Sequence, residues 1–507
     1  MNKKQPKAQA IAIQKNKIMK VGTNTQIETY IQKNTKTIDL KGKCVIPGLT
    51  DAHIHIAGFG RSLVTVDLRN VKSIKEIQQR IQQGAQKTPK GKWVLGRGWD
   101  QEKLIEKRYP TRHDLDQATP NHPVLITRVC GHLAVVNTKA LENAGITKKT
   151  KPPKGGKIEK NPKTGEPTGI LRENAMDLIW KTMPEFSEEE LREACLLACQ
   201  KAVESGLTSV HWIIRSPKEI RVIQELRKQN KLPLRVYVLI PVKYLDQLIQ
   251  LGLRTGFGDE KVRIGSIKIL VDGSLGARTA ALHQPYQDKP STKGVLLYGE
   301  RELNDLVMKA NKAGFQLAIH AIGDRAVDLT LDALEKALEK SPRKNHRHRI
   351  EHASVLNEKL IQRMKRLGVI ASVQPSFVVS DFWVVNRVGT QRGRWVYAFK
   401  SLVKNGVLVC AGSDCPVESV NPLLGVCAAV ARESFPEERV GAEEALRWYT
   451  VNAAFASFEE NVKGSIEEGK LADFVVLSGD PCGVAAEKIG EIRVEMTVVD
   501  GQVVYCR

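Results

Sequence analysis

The chain has 507 residues, 42% of them hydrophobic and 26% charged, with a formal net charge of +22. That length exceeds one ordinary domain and fits a large barrel with an accessory part; the composition is that of a soluble globular protein, and no run of about 18 apolar residues marks a membrane span. The positive charge is accompanied by no zinc finger, RNP motif or long basic helix, and aromatics are only 5%, so a nucleic-acid partner is disfavoured.

The first residues, Met1-Asn2-Lys3-Lys4-Gln5-Pro6, are basic but lack an apolar h-region, so no secretory signal is expected. Short strands are predicted at Ala8–Ile13, Lys17–Val21, Thr37–Asp39 and Lys43–Ile46, punctuated by Gly22 and Gly42. The far end reads likewise, at Phe474–Leu477, Met496–Val499 and Gln502–Tyr505. Strands at both ends of a chain with a large middle between them predict one small β-domain built from both termini. The middle alternates strand and helix. Its apolar runs are 49–56, Thr208–Ile213, Leu234–Ile240, Ile264–Asp272, Phe315–His320, Arg349–His352, Ala371–Gln374 and Val407–Asp414. Helical patterns separate most of them; in Arg325–Leu338, Val327, Leu331, Leu334 and Leu338 fall at helical spacing, with Asp324 placed as N-cap. Eight strands alternating with helices make an α/β fold, a (β/α)₈ TIM-type barrel. Residues of about 60–205 stand outside that count as an insertion between barrel strands 1 and 2. They carry strands of their own at Trp93–Gly96 and Val124–Arg128, an exposed hairpin or loop at Lys148–Thr168, and helices from about Leu171 to Gly206. The expected division is 1–46 and 465–507 for the small β-sandwich domain and 47–464 for the barrel with its insertion. Nine scattered cysteines without a Cys-x-x-Cys pair suit a reducing cytosol, hence a cytoplasmic protein.

The chemistry starts at Pro47-Gly48-Leu49-Thr50-Asp51-Ala52-His53-Ile54-His55. Residues two apart on a strand share a face, so His53 and His55 form a chelating pair for a borderline ion such as zinc. Active sites of such barrels lie at the C-terminal ends of the strands. The fourth strand puts Gly265, Ile267, Ile269 and Val271 on an apolar face, which turns Lys268 into the barrel interior. Burial there lowers a lysine's pKa and favours a free amine. Such an amine can add carbon dioxide, and the carbamate has two oxygens able to bridge cations. His320 ends the fifth strand, His352 the sixth and Asp414 the eighth. Four imidazoles, one prospective carbamate and one carboxylate suit one or two divalent ions with open positions for water.

This pattern resembles the amidohydrolase superfamily, and within it the amidohydrolase 3 group that includes N-substituted formamide deformylases. The resemblance covers nearly the whole chain. Besides residues 47–55 it includes Gly96-Arg97-Gly98-Trp99-Asp100, Gly131-His132-Leu133-Ala134-Val135-Val136-Asn137, and the run from Asp272-Gly273-Ser274 to Leu282. It continues at His320-Ala321-Ile322-Gly323-Asp324, Ser413-Asp414-Cys415-Pro416-Val417 and Gly469-Lys470-Leu471-Ala472-Asp473. By position the resemblance makes His53, His55, Lys268, His320, His352 and Asp414 the metal ligands. Lys268 is then the carboxylated bridge and Asp414 also the proton shuttle. His132 and Arg278 are weaker candidates for holding substrate, as are His211 and His283; Trp99 and Trp383 could line a pocket. The implied activity is hydrolysis of a non-peptide C–N bond, in an amide or N-substituted formamide, by a metal-activated hydroxide. A deaminase on the same barrel, or a catalytically silent binding protein, are the alternatives. The expected partner is a small-molecule substrate, with no membrane and with a homodimer open.

Overall fold

A computed structural model describes residues 5–128, 133–153, 156–183 and 186–507. The chain divides into two compact units, residues 1–59 with 195–507, and residues 60–194.

The first unit contains an eight-stranded parallel sheet: β1 (Leu49–Ile54), β2 (Leu207–Ile213), β3 (Arg235–Pro241), β4 (Val262–Leu270), β5 (Gln316–Ala321), β6 (Arg349–His352), β7 (Ile370–Val373) and β8 (Val409–Ala411). Each pairs with the next in chain order, giving seven parallel ladders. Every residue of β1 and β2 is buried, as expected of parallel strands covered on both faces. Between β8 and β1 there is no ladder. The ring is joined just beyond it, by Asp414 N–H to His53 O at 2.7 Å and His55 N–H to Cys415 O at 3.0 Å. The fold is thus a TIM-type barrel, nearly closed by ladder and finished by two loop hydrogen bonds.

The helix after β5, Asp324–Lys340, buries Val327, Leu331 and Leu334 at the expected spacing. Its N-cap is Gly323, and Asp324 is the first helical residue. Asp324 Oδ1 instead accepts the backbone N–H of Arg325 and of His283, both at 3.0 Å, so its carboxylate pins an incoming loop. The basic run before β6 serves the base of the barrel. His346, Arg347, His348 and Arg349 are all buried. Arg347 forks onto Glu460 at 2.8 and 2.7 Å and lies 3.7 Å from the Phe455 ring centroid.

Both termini build a small β-domain in this unit. Cys44–Pro47, Phe474–Leu477, Val494–Val499 and Gln502–Cys506 form a four-stranded antiparallel sheet, and Ala10–Gln14 pairs with Lys17–Gly22. Ile18, Val21, Ala472, Phe474, Val476 and Val498 share one core. Residues 37–39 form no strand; they are exposed and find no ladder partner, so their β-propensity alone does not order them. Arg235, at the foot of β3, ties this domain to the barrel. It donates to Asp473 at 2.6 and 2.9 Å and to Asp500 at 2.5 Å.

The second unit carries a six-stranded mixed sheet in the order Val66–Asp67, Val94–Trp99, Val124–Arg128, Leu133–Val136, Pro167–Glu173, Gly156–Lys160. Alternation places Val124, Ile126, Leu133 and Val135 in one apolar cluster and Leu125, Ala134 and Val136 in another, so both faces are covered. The lysine-rich stretch is a hairpin, with Gly156–Lys160 antiparallel to Pro167–Glu173. Leu171 therefore lies in a strand where a helix was expected; its sheet neighbour Ala134 supplies the pairing that overrides local propensity. Trp99 is fully buried in this unit's core, with its ring edge-on to that of Tyr109. Among the described residues, no helix is long and apolar enough to cross a membrane.

Candidate functional site

The join between β8 and β1 is also where the chemistry gathers. Asp414 Oδ1 stands 3.5 Å from His53 Nε2 and 3.2 Å from His55 Nε2. His53, His55 and Asp414 offer ligand atoms all within 4.8 Å of one another, a group able to hold a metal ion. The His53 ring is 5.7 Å from His55 and 4.8 Å from His352, and His352 is 4.5 Å from His320. Four imidazoles and a carboxylate, far apart in sequence, thus meet at one end of the barrel.

Local backbone explains the aim of each. Gly412 has to be glycine, since a Cβ there would lie 2.4 Å from His53 N and 2.6 Å from Asp51 Oδ1. Asp51 accepts the His53 and Ser413 N–H groups at 3.0 Å each and the Ser413 hydroxyl at 2.5 Å, holding β1 and the loop after β8 in register. Asp414 has φ 55°, which turns its carboxylate back across the ring. Strand alternation would send His352 outward, because Arg349 and Glu351 occupy the inner face. A φ of 72° at His352, followed by 44° at Ala353, ends the extended run and swings the ring into the mouth. Asp272 plays the same part after β4, accepting from Ala281, Ile322 and Gly323 N–H at 2.8–3.0 Å.

Three of the imidazoles are anchored by one nitrogen each. His53 Nδ1 meets Glu351 Oε2, His320 Nε2 meets the Gly273 carbonyl at 2.9 Å, and His352 Nδ1 meets Gln374 Oε1 at 2.6 Å. An oxygen that only accepts fixes the proton on the nitrogen facing it. The lone pairs left over are on His53 Nε2, His320 Nδ1 and His352 Nε2. His55 Nδ1 and Lys268 Nζ are buried without a hydrogen-bond partner among the described residues. Burial pushes Lys268 down to about 8, against the pull of Glu351 and Asp414, and pushes His320 down to about 3. Burial also lowers His352, with His320 and His53 beside it. Burial works to raise Asp414, but the His53 charge and the hydrogen bonds of His53 and His55 outweigh it and hold the carboxyl well below its ordinary range. Burial and the Lys268 charge work to lower His53, but the Asp414 and Glu351 carboxylates outweigh them and raise it. Two imidazoles kept neutral by burial at His320 and His352, an ionised carboxylate and orphaned nitrogens fit a cation in their midst. A barrel whose strand ends present such a donor set belongs to the metal-dependent hydrolases that sharpen water at the barrel mouth.

Residues 36–505 match the amidohydrolase family, and the chain belongs to it. It is 38% identical to YtcJ of Bacillus subtilis (strain 168), across 94% of this chain and 92% of that one. It is 31% identical to the N-substituted formamide deformylase of Arthrobacter pascens, across 99% and 95%. Among solved structures, an uncharacterized metal-dependent hydrolase from Pyrococcus furiosus superposes with a TM-score of 0.79 at 35% identity, covering 93% of this chain and 95% of that one. Family and metal-capable cluster together make the protein a metal-dependent amidohydrolase of carbon–nitrogen bonds other than peptide bonds.

Several of the remaining expected residues have partners of their own. Arg278 forks onto Asp288 at 3.1 and 2.8 Å. His132 lies outside the described residues. His283 is half exposed beside Asp328 at 3.3 Å, and His211 is buried in the barrel, where it accepts from Arg349 at 2.8 Å. The Trp383 ring carries the Arg387 guanidinium 4.9 Å from its centroid. Reasoning from sequence missed Glu351, Arg349, Gln374 and Asp272. The signal was Arg349-x-Glu351, two charges on the inward face of a strand.

Proposed function

We propose that the protein hydrolyses an amide whose nitrogen carries an organic substituent, N-substituted formamides being the leading class. In this reading one or two zinc ions are held by His53, His55 and Asp414 together with Lys268, His320 and His352. The observation that carries it is the set of three imidazoles each tethered by one nitrogen, with the other left free. The likeness to the Arthrobacter deformylase supports the substrate class.

When bound, such a cation supplies Lewis acidity, enough to bring the pKa of water to about 7. Asp414 takes the proton of the attacking water and returns it to the departing nitrogen, because an amine leaves readily only once protonated. Lys268, buried and without a hydrogen-bond partner among the described residues, attacks the carbon of carbon dioxide through its free amine and sheds one proton to become a carbamate. Arg278, in the loop leaving β4, is the candidate contact to the substrate from the barrel, and His132 remains a second candidate. The protein acts in the cytoplasm, and a homodimer is compatible with the reading.

Metal analysis of the purified protein, combined with an assay of N-substituted formamides, simple amides and amino-heterocycles, tests this. The expected result is at least one divalent ion per chain and release of an organic amine. His53→Ala and Asp414→Ala should each cut turnover by about 10²–10⁴-fold or more without unfolding the protein. Near-normal turnover in Asp414→Ala excludes it as the shuttle, and release of ammonia from amino-heterocycles alone would make the protein a deaminase.

A further inference from the structure

Inside the barrel, beneath the metal-capable cluster, lies a buried ion pair that the reaction itself does not use. Arg349 and Glu351 sit two apart on β6 and are both completely buried. The guanidinium makes three kinds of bond. Nε and Nη2 grip the Glu351 carboxylate at 2.5 and 3.3 Å. Nη2 also donates to Ala52 O at 2.5 Å, the carbonyl immediately before His53. Nη1 donates to His211 Nδ1 at 2.8 Å. That last bond makes His211 an acceptor at Nδ1, hence a neutral ring. The far oxygen of Glu351 meets His53 Nδ1. One guanidinium therefore holds the peptide that carries His53 and the carboxylate that orients its ring.

We propose that Arg349, acting through Glu351, is a positioning residue that fixes the tautomer and aim of His53 and so sets the protein's affinity for its divalent cation. This rests on the metal site of the proposed function. A carboxylate at Nδ1 stabilises the Nδ1–H form, leaving the Nε2 lone pair toward Asp414 and making it a better donor. An amide in its place lacks the charge. A purely structural ion pair would instead set barrel stability and leave the affinity of the folded protein alone.

Competitive titration of Zn²⁺ against a chromophoric chelator, on wild type and Glu351→Gln, separates the two. The dissociation constant should rise about 10–100-fold in Glu351→Gln. Glu460→Gln, which breaks the Arg347 fork at the barrel base, should lower stability and leave Zn²⁺ affinity unchanged. If Glu351→Gln fails to fold, Arg349→Met combined with Glu351→Gln removes both charges at lower cost and should show the same loss of affinity. Unchanged Zn²⁺ affinity in whichever Glu351 variant folds overturns the inference. Failure of the wild type to bind Zn²⁺ at all overturns the metal site itself.

Discussion

Gly412 shows how narrow the tolerances are at the scale of one residue. A single methyl group there meets the His53 backbone and the Asp51 carboxylate, neither of which can move without opening the join between β8 and β1. Gly412→Ala should cost about 1–3 kcal/mol, read as a lower urea midpoint, and should also lower metal content. A stability loss with full metal occupancy would separate the join from the site. The candidate ligands His53, His55, His320, His352 and Asp414 were readable from sequence because each stands at or near the end of an apolar run. Glu351 was not, because its role depends on an arginine two residues back and an imidazole almost three hundred residues away. The aim of His352 was also hidden, since it comes from a positive φ that a non-glycine residue seldom adopts.

Among elements, all eight barrel strands were legible, because parallel strands buried on both faces are continuous apolar runs. The edges were less so. Thr37–Asp39 has strand-like residues and no neighbour, while Leu171 reads as helix and is claimed by a sheet partner. The run from Arg343 to Arg349 looked like plain positive charge, yet its second half, His346 to Arg349, is buried; ion pairs between distant residues leave no local pattern. The attachment of the terminal sheet to β3 rests on Arg235. Burial works against the Asp500 carboxylate, but the nearby Arg235 charge outweighs it and holds its pKa below the ordinary value. A depressed folded pKa gives stability that is complete above the unfolded value of about 3.9 and is lost as pH falls through the folded one. Asp500→Asn should therefore lower stability at neutral pH and flatten the acid limb of the stability curve. Urea midpoints measured from pH 3 to pH 7 check this; parallel curves for wild type and variant would refute it.

For the molecule as a whole, a cation that binds only the folded barrel stabilises it by mass action, about 2.7 kcal/mol at a hundredfold excess over Kd. Removing metal with a chelator should lower the melting temperature, and adding Zn²⁺ back should restore it. The same titration on Asp414→Ala should shift little. A melting temperature indifferent to chelation in the wild type would place the cation outside the folded barrel's energetics.

The barrel has seven ladders and one gap, and the gap is bridged at Asp414 and His53. First and last staves of the hoop are therefore fastened through the backbone of the very residues proposed to hold the ion. Loosening of the hoop and escape of the ion become one event, so the working lifetime of the enzyme should follow the sequestering power of its surroundings.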